Sequence, residues 1–120
     1  MPVVRALFRA FEGPDDVREF PKGRFETVTI EGMTNGPATY EPGWKWSEQV
    51  GPGVGATLCA VEHVGLVLAG TATAAFEDGT VIELRAGQLF HIPAAPHDSW
   101  VVGDERYVSF HFLDAGGDAR

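Results

Sequence analysis

The chain has 120 residues, the size of one domain, and 44% of them are hydrophobic, enough to build a core without covalent staples. Its formal net charge of −8 lacks the basic footprint that a phosphate backbone requires, which argues against a nucleic-acid partner. Cys59 stands alone, so no internal disulfide forms, and no apolar run reaches the roughly 18 residues of a spanning helix, so no membrane partner is expected.

In chain order, MPVVRALFRAFEG carries arginines inside its apolar part and no small-residue cleavage pattern. No signal peptide is expected there, and the location expected is cytoplasmic. VVRALFRAF reads as a strand or a short amphipathic piece, and in GPDDVREF either Asp15 or Asp16 offers a cap for about one helical turn. RFETVTIEG alternates with a period of two, and ATYEPGWKWSEQV continues as a strand after a Pro-Gly corner. GPGVGA is turn material; it opens no helix after a strand, so it is not a phosphate loop. TLCAVEHVGLVLAG, with its valines and flanking glycines, reads as one strand buried on both faces over 58–69. TATAAFEDGTVIELR predicts a hairpin around Asp78-Gly79. AGQLFHIP, DSWVVGDE and RYVSFHFLD complete the set.

Strand signals recurring at roughly 8–12 residues, with turns between them, predict an all-β jelly roll or related barrel. The expected organisation is one domain over 1–120, with its core at about 20–113 and 1–19 as an N-terminal strand or short helical arm.

Two segments carry a resemblance to a known family. GLVLAG followed by a glycine hairpin and RAGQLFHIPAAPH resembles the paired motifs of the cupins, and Pro42-Gly43-Trp44-Lys45-Trp46-Ser47-Glu48 with His97-Asp98-Ser99-Trp100-Val101-Val102-Gly103-Asp104-Glu105 is similar to segments of small single-domain bacterial cupins. The resemblance covers about residues 20 to 113 and implies a cupin-type double-stranded β-helix. It also implies a site inside the barrel holding a divalent metal ion such as Zn, Fe or Mn. The family's acidic ligand, counted seven residues back from Gly70, falls here on His63, and the second motif ends in His97. The two histidines that precede the acidic ligand in the family fall on Thr57 and Cys59, or near Ser47 and Gln49, depending on hairpin length. The usual set of three histidines and one glutamate is therefore incomplete.

The expected metal ligands are His63 and His97, completed by one of Cys59, Glu48, Gln49 or His111. Three side chains plus open positions suffice for a catalytic divalent site. Cys59 and His63 are four apart and share a face on a regular strand. As a thiolate, Cys59 favours Zn or Fe(II); Glu48 suits a wider range of metals, and Gln49 is a weak neutral ligand. If 97–102 and 106–113 pair around the GDE turn, His111 lies opposite His97, with Cβ atoms about 4.5–5.5 Å apart. Imidazole titrates near neutral pH, which makes His111 the candidate general acid or base. Glu62 is expected to point away from the site, and His91 outward. His97-Asp98-Ser99 is no triad, because adjacent strand residues face opposite ways. Trp44, Trp46 and Trp100 are the expected pocket lining.

Two functions follow. One is a metal-dependent cupin enzyme acting on a small organic molecule, of dioxygenase, isomerase, cyclase or lyase type. The other is a non-catalytic small-molecule binder or sensor on the same barrel, favoured by the incomplete ligand set and by the absence of an attached DNA-binding or catalytic domain. The small cupins also imply a homodimer.

Overall fold

The computed structural model describes residues 4–113. Its strands are β1 (Asp16–Phe20), β2 (Gly23–Ile30), β3 (Met33–Tyr40), β4 (His63–Ala69), β5 (Thr71–Phe76), β6 (Val81–Arg85), β7 (Leu89–Ile92), β8 (His97–Val101) and β9 (Tyr107–Leu113). Two single-turn helices, α1 (Trp46–Gln49) and α2 (Gly51–Val54), sit between β3 and β4. Six strands form one sheet in the order β1-β2-β3-β9-β4-β7, and the other three form a second in the order β6-β5-β8. All pairings are antiparallel, and the two sheets enclose a jelly-roll barrel. None of the helices is long and apolar enough to cross a membrane.

The inward face follows strand parity. From the large sheet, Phe25, Ala38, Val67, Ile92 and Tyr107 turn into the core, and from the small sheet Ala72, Ala74 and Val101 meet them. Trp44 and Trp46 close one end of the same cluster. The small alanines of β5 leave room, and the aromatic rings opposite fill only part of it.

Turn chemistry sets the registers. Between β2 and β3, Glu31 (φ 47°) and Gly32 (φ 76°) both adopt positive φ, as a two-residue hairpin loop demands. The predicted hairpin at Asp78-Gly79 joins β5 to β6, and Asp78 Oδ1 accepts from Thr80 N at 2.9 Å. Gly70 (φ 77°) makes the corner where the chain leaves the large sheet for the small one.

Four local expectations are corrected. Residues 4–10 form neither a strand nor a helix, and Asp15 and Asp16 cap no helix: the segment that follows is β1. Asp15 instead accepts from Arg9 and from Thr29 N (2.8 Å), clasping the arm to β2. WKWSEQ is not a strand continuation but α1. Asp98 on β8 accepts from Ser47 N at 3.0 Å and Ser47 Oγ at 2.7 Å, and Gln49 Oε1 accepts from Lys45 N at 2.6 Å. These tertiary bonds override the alternating pattern of WKW. The run 58–69 is not one strand: β4 begins at His63, and one of its faces is partly open, with Leu68 53% exposed. Finally, β8 does not pair with β9. β8 adds to β5 in the small sheet, whereas β9 lies between β3 and β4.

Gly36 on β3 shows how tightly the sheet is packed, because a Cβ there would collide with the Glu26 carbonyl oxygen on β2. Gly13 has open space instead. Gly36→Ala is expected to destabilise the protein by about 3 kcal/mol or more in urea unfolding, with Gly13→Ala within about 0.5 kcal/mol of wild type. Equal midpoints for the two variants would contradict this packing.

Candidate functional site

The site begins with a backbone contact. Cys59 and His97 form an isolated antiparallel bridge and exchange two hydrogen bonds, Cys59 N to His97 O at 2.8 Å and His97 N to Cys59 O at 2.9 Å. A pair of that kind holds its side chains on one face. Four residues on, His63 opens β4, and its Nε2 lies 3.4 Å from Cys59 Sγ. The His63 and His97 rings stand edge to face with centroids 5.6 Å apart. One ligand atom from each of Cys59, His63 and His97 lies within 4.8 Å of the other two.

These donors fit a metal ion. Ligand bonds of about 2.3 Å for thiolate and 2.0–2.1 Å for imidazole, at a tetrahedral angle, separate the two atoms by about 3.6 Å. The observed 3.4 Å between Sγ and Nε2 is close to that span. His97 Nδ1 donates to the Ala95 carbonyl at 2.8 Å, the tautomer that leaves Nε2 as the ligating nitrogen. Cys59 and His97 are buried, so the donors are preorganised.

His63 and His97 also line a cavity of about 70 Å³ within the barrel. His111, Ser109 and Tyr107 reach it from β9, and Trp44, Trp46 and Tyr40 close it with aromatic surface. Trp44 stacks on Tyr40 with ring centroids 3.9 Å apart. Trp44 and Trp46 reach the cavity from a corner and from α1 rather than from a shared strand face.

Other expected positions differ. Glu48 is exposed on α1, and the Gln49 side chain is committed to Lys45 N; neither joins the cluster. Trp100 does not line the cavity, because β8 turns His97, Ser99 and Val101 inward and Trp100 outward, where Lys45 Nζ lies 5.7 Å from its ring. Glu62 points away and meets His91, also on the outside, at 2.8 Å. His111 enters the site from a different place than expected: it pairs with Gly36 and Gly65 in the large sheet, and its ring centroid is 5.8 Å from that of His63.

The environment of His111 changes its chemistry. It is packed against Phe25 and Phe90, and its Nε2 is 2.9 Å from Ser109 Oγ. Burial, with a smaller contribution from His63, pushes its pKa down to about 3. It is therefore a neutral imidazole at physiological pH and not a ready general acid. Burial likewise raises Tyr107, to about 12, so its phenol stays protonated.

Sequence reasoning missed Arg18, Phe20, Tyr40, Ser99, Tyr107 and Ser109 in the lining. Parity would have found three of them: Tyr107 and Ser109 share the strand face of His111, and Ser99 that of His97. Arg18 and Phe20 are hidden because the sequence around Asp15-Asp16 reads as a helical turn and the structure makes it β1.

The pH dependence of His111 has a definite sign. A neutral imidazole buried in the fold contributes stability that is full above its ordinary value near 6.5 and is lost as pH falls toward about 3. In metal-free protein, the His111 ring resonances are expected to stay flat from pH 8 to about 5, below which unfolding sets in; a titration midpoint near 6.5 would place the ring in water instead.

No protein-family model matches the sequence, and no curated protein does. Solved structures do. A Rhizobium leguminosarum protein of unknown function superposes with a TM-score of 0.63 at 17% identity, over 92% of this chain and 98% of that one. A Bacillus subtilis oxalate decarboxylase variant gives a TM-score of 0.69 at 16% identity over 98% of this chain, which spans only about a third (32%) of the decarboxylase. A putative ethanolamine utilization protein from Salmonella typhimurium gives 0.53 at 14% identity, over 78% of this chain and 70% of that one. At such identities the likeness carries architecture and not activity, and what it supports, together with the two-sheet barrel, is the cupin fold.

Proposed function

We propose that this protein is a metal-dependent cupin enzyme acting on a small organic molecule inside its barrel. The observation that carries the reading is the convergence of Cys59, His63 and His97, two of which, His63 and His97, line an apolar cavity. Three protein donors leave coordination positions open, the arrangement of catalytic rather than structural sites. A thiolate with two imidazoles suits Zn or Fe(II) better than Mn, which prefers oxygen donors. The metal, when bound, supplies Lewis acidity toward a carbonyl, carboxylate or enolate oxygen.

The chain's own residues then have distinct tasks. His97, fixed by the Ala95 carbonyl, and Cys59, fixed by the backbone bridge, hold the donor geometry. The Trp44, Trp46 and Phe90 surfaces exclude water and shape the occupant. His111 orders the far wall through Ser109 and stays neutral. The sensor reading draws support from one feature: among the described residues, no carboxylate lines the cavity to move protons.

Protein purified without added metal and then titrated with Zn(II), or with Fe(II) under anaerobic conditions, tests the proposal. Elemental analysis is expected to give close to one metal per chain. His63→Ala and His97→Ala should each weaken binding by roughly a hundredfold or more, since even partners behind the ligands contribute 10–100-fold. Binding below about 0.1 metal per chain, unchanged in both variants, would overturn the proposal, given the affinity a preformed site commands. Turnover of a carbonyl or carboxylate library member that is lost in His97→Ala separates enzyme from sensor.

A further inference from the structure

We infer that the cavity takes a small uncharged hydroxycarbonyl molecule, its carbonyl oxygen accepting from Trp44 Nε1 and its hydroxyl meeting His111 Nδ1. The inference rests on the reading of this cavity as the ligand site and adds the chemical class of its occupant.

The first observation is a pair of buried polar atoms. Trp44 and His111 line the cavity and are only 3% and 5% exposed, and among the described residues Trp44 Nε1 and His111 Nδ1 have no hydrogen-bond partner. An unsatisfied polar atom that deep in a protein is costly, and at a cavity wall it marks where a ligand or water belongs. The two atoms ask for different partners. An indole N–H can only donate, and a carbonyl oxygen accepts from it with no proton of its own left unsatisfied. Nδ1 of a neutral imidazole donates in one tautomer and accepts in the other, and a hydroxyl answers either.

The second observation is the lack of a spare charge. Among the described residues no acid lines the cavity, so a cation would find no counter-charge there. Arg18 brings a guanidinium into the lining, but that group is already engaged, with Asp16 3.6 Å from its Nε. Burial keeps the Tyr40 and Tyr107 phenols protonated, so they are neutral as well. A carboxylate entering between these walls would lose its hydration without gaining an opposite charge, whereas an uncharged oxygen compound needs only hydrogen bonds.

The third observation is size. A cavity of about 70 Å³ has room for roughly five to seven water-sized groups, and a molecule that fills so small a space meets all of its walls. That excludes nucleotides and hexoses and leaves room for one short carbon chain with a carbonyl and a hydroxyl. Phe20, Phe25, Leu84 and Phe90 supply the apolar surface against which the chain packs.

The test is an NMR titration of the protein, metal-free and Zn-loaded, with hydroxyacetone as the probe. Two molecules of the same heavy-atom count serve as controls: butanone, which has a methyl group in place of the hydroxyl, and glycolate, which has a carboxylate oxygen in place of the methyl. The indole N–H resonance of Trp44, assigned by its loss in Trp44→Phe, is expected to move downfield as hydroxyacetone binds to either form. In the metal-free form hydroxyacetone should bind about tenfold more tightly than glycolate and several-fold more tightly than butanone, the order of effect that one hydrogen bond or one uncompensated charge carries. Trp44→Phe, which keeps the aromatic bulk, should weaken hydroxyacetone several-fold while far-UV circular dichroism stays that of the wild type; if the variant does not fold, the wild-type indole signal still decides. No saturable hydroxyacetone binding, an unmoved Trp44 signal in saturated protein, or glycolate or butanone binding as tightly as hydroxyacetone in the metal-free form would overturn the inference even if one metal per chain binds. Hydroxyacetone binding on Trp44 in a protein that takes up no metal would uphold it and sink only the metal reading.

Discussion

The two backbone hydrogen bonds between Cys59 and His97 hold the site together. Residues 60–62 form no regular structure, and the bridge ties Cys59 directly to β8. The bridge puts a thiol beside an imidazole on one face, and the short link to β4 then brings His63 to within 3.4 Å of that thiol. Polar groups gathered this way in an apolar barrel lose their hydration, and a bound cation is the partner that would replace it on the proposed reading.

The second constraint is the shape of the barrel. Six strands on one side and three on the other leave a wedge that Ala72 and Ala74 do not fill. Tyr107, Ser109 and His111 descend β9 at every second position and bring a hydroxyl, a second hydroxyl and an imidazole to one wall. Sheet parity alone creates that polar stripe. Its burial makes it a set of neutral hydrogen-bonding groups, with Tyr107 pushed up and His111 pushed down. The interior is thus apolar and weakly basic, whereas the outside carries the acids.

Much of this was legible in the sequence, for physical reasons. The alternation in β2 and the Asp-Gly turn of β5–β6 are local signals, and local signals survive folding. His63, His97 and the outward turn of Glu62 followed from the motif spacing with the period of a strand. What failed was nonlocal. WKWSEQ alternates like a strand, but Asp98, fifty-one residues away, draws Ser47 into a helix N-terminus and takes Glu48 and Gln49 out of the site. The GDE turn looked like a hairpin, yet its flanking strands belong to different sheets, so His97 and His111 approach across the barrel and not along a ladder. Trp100 went outward for the same reason: its parity was set by His97, and only one of the two could face in. Arg18 was lost because Asp15-Asp16 reads as a cap when the strand after it is unknown.

X-ray absorption spectroscopy at the metal edge of protein loaded with one equivalent of Zn(II) tests the central claim most directly. The account predicts one sulfur scatterer at about 2.3 Å with two imidazole nitrogens at about 2.0–2.1 Å, and loss of the sulfur shell alone in Cys59→Ser. A shell of oxygen and nitrogen only, identical in wild type and Cys59→Ser, would contradict it.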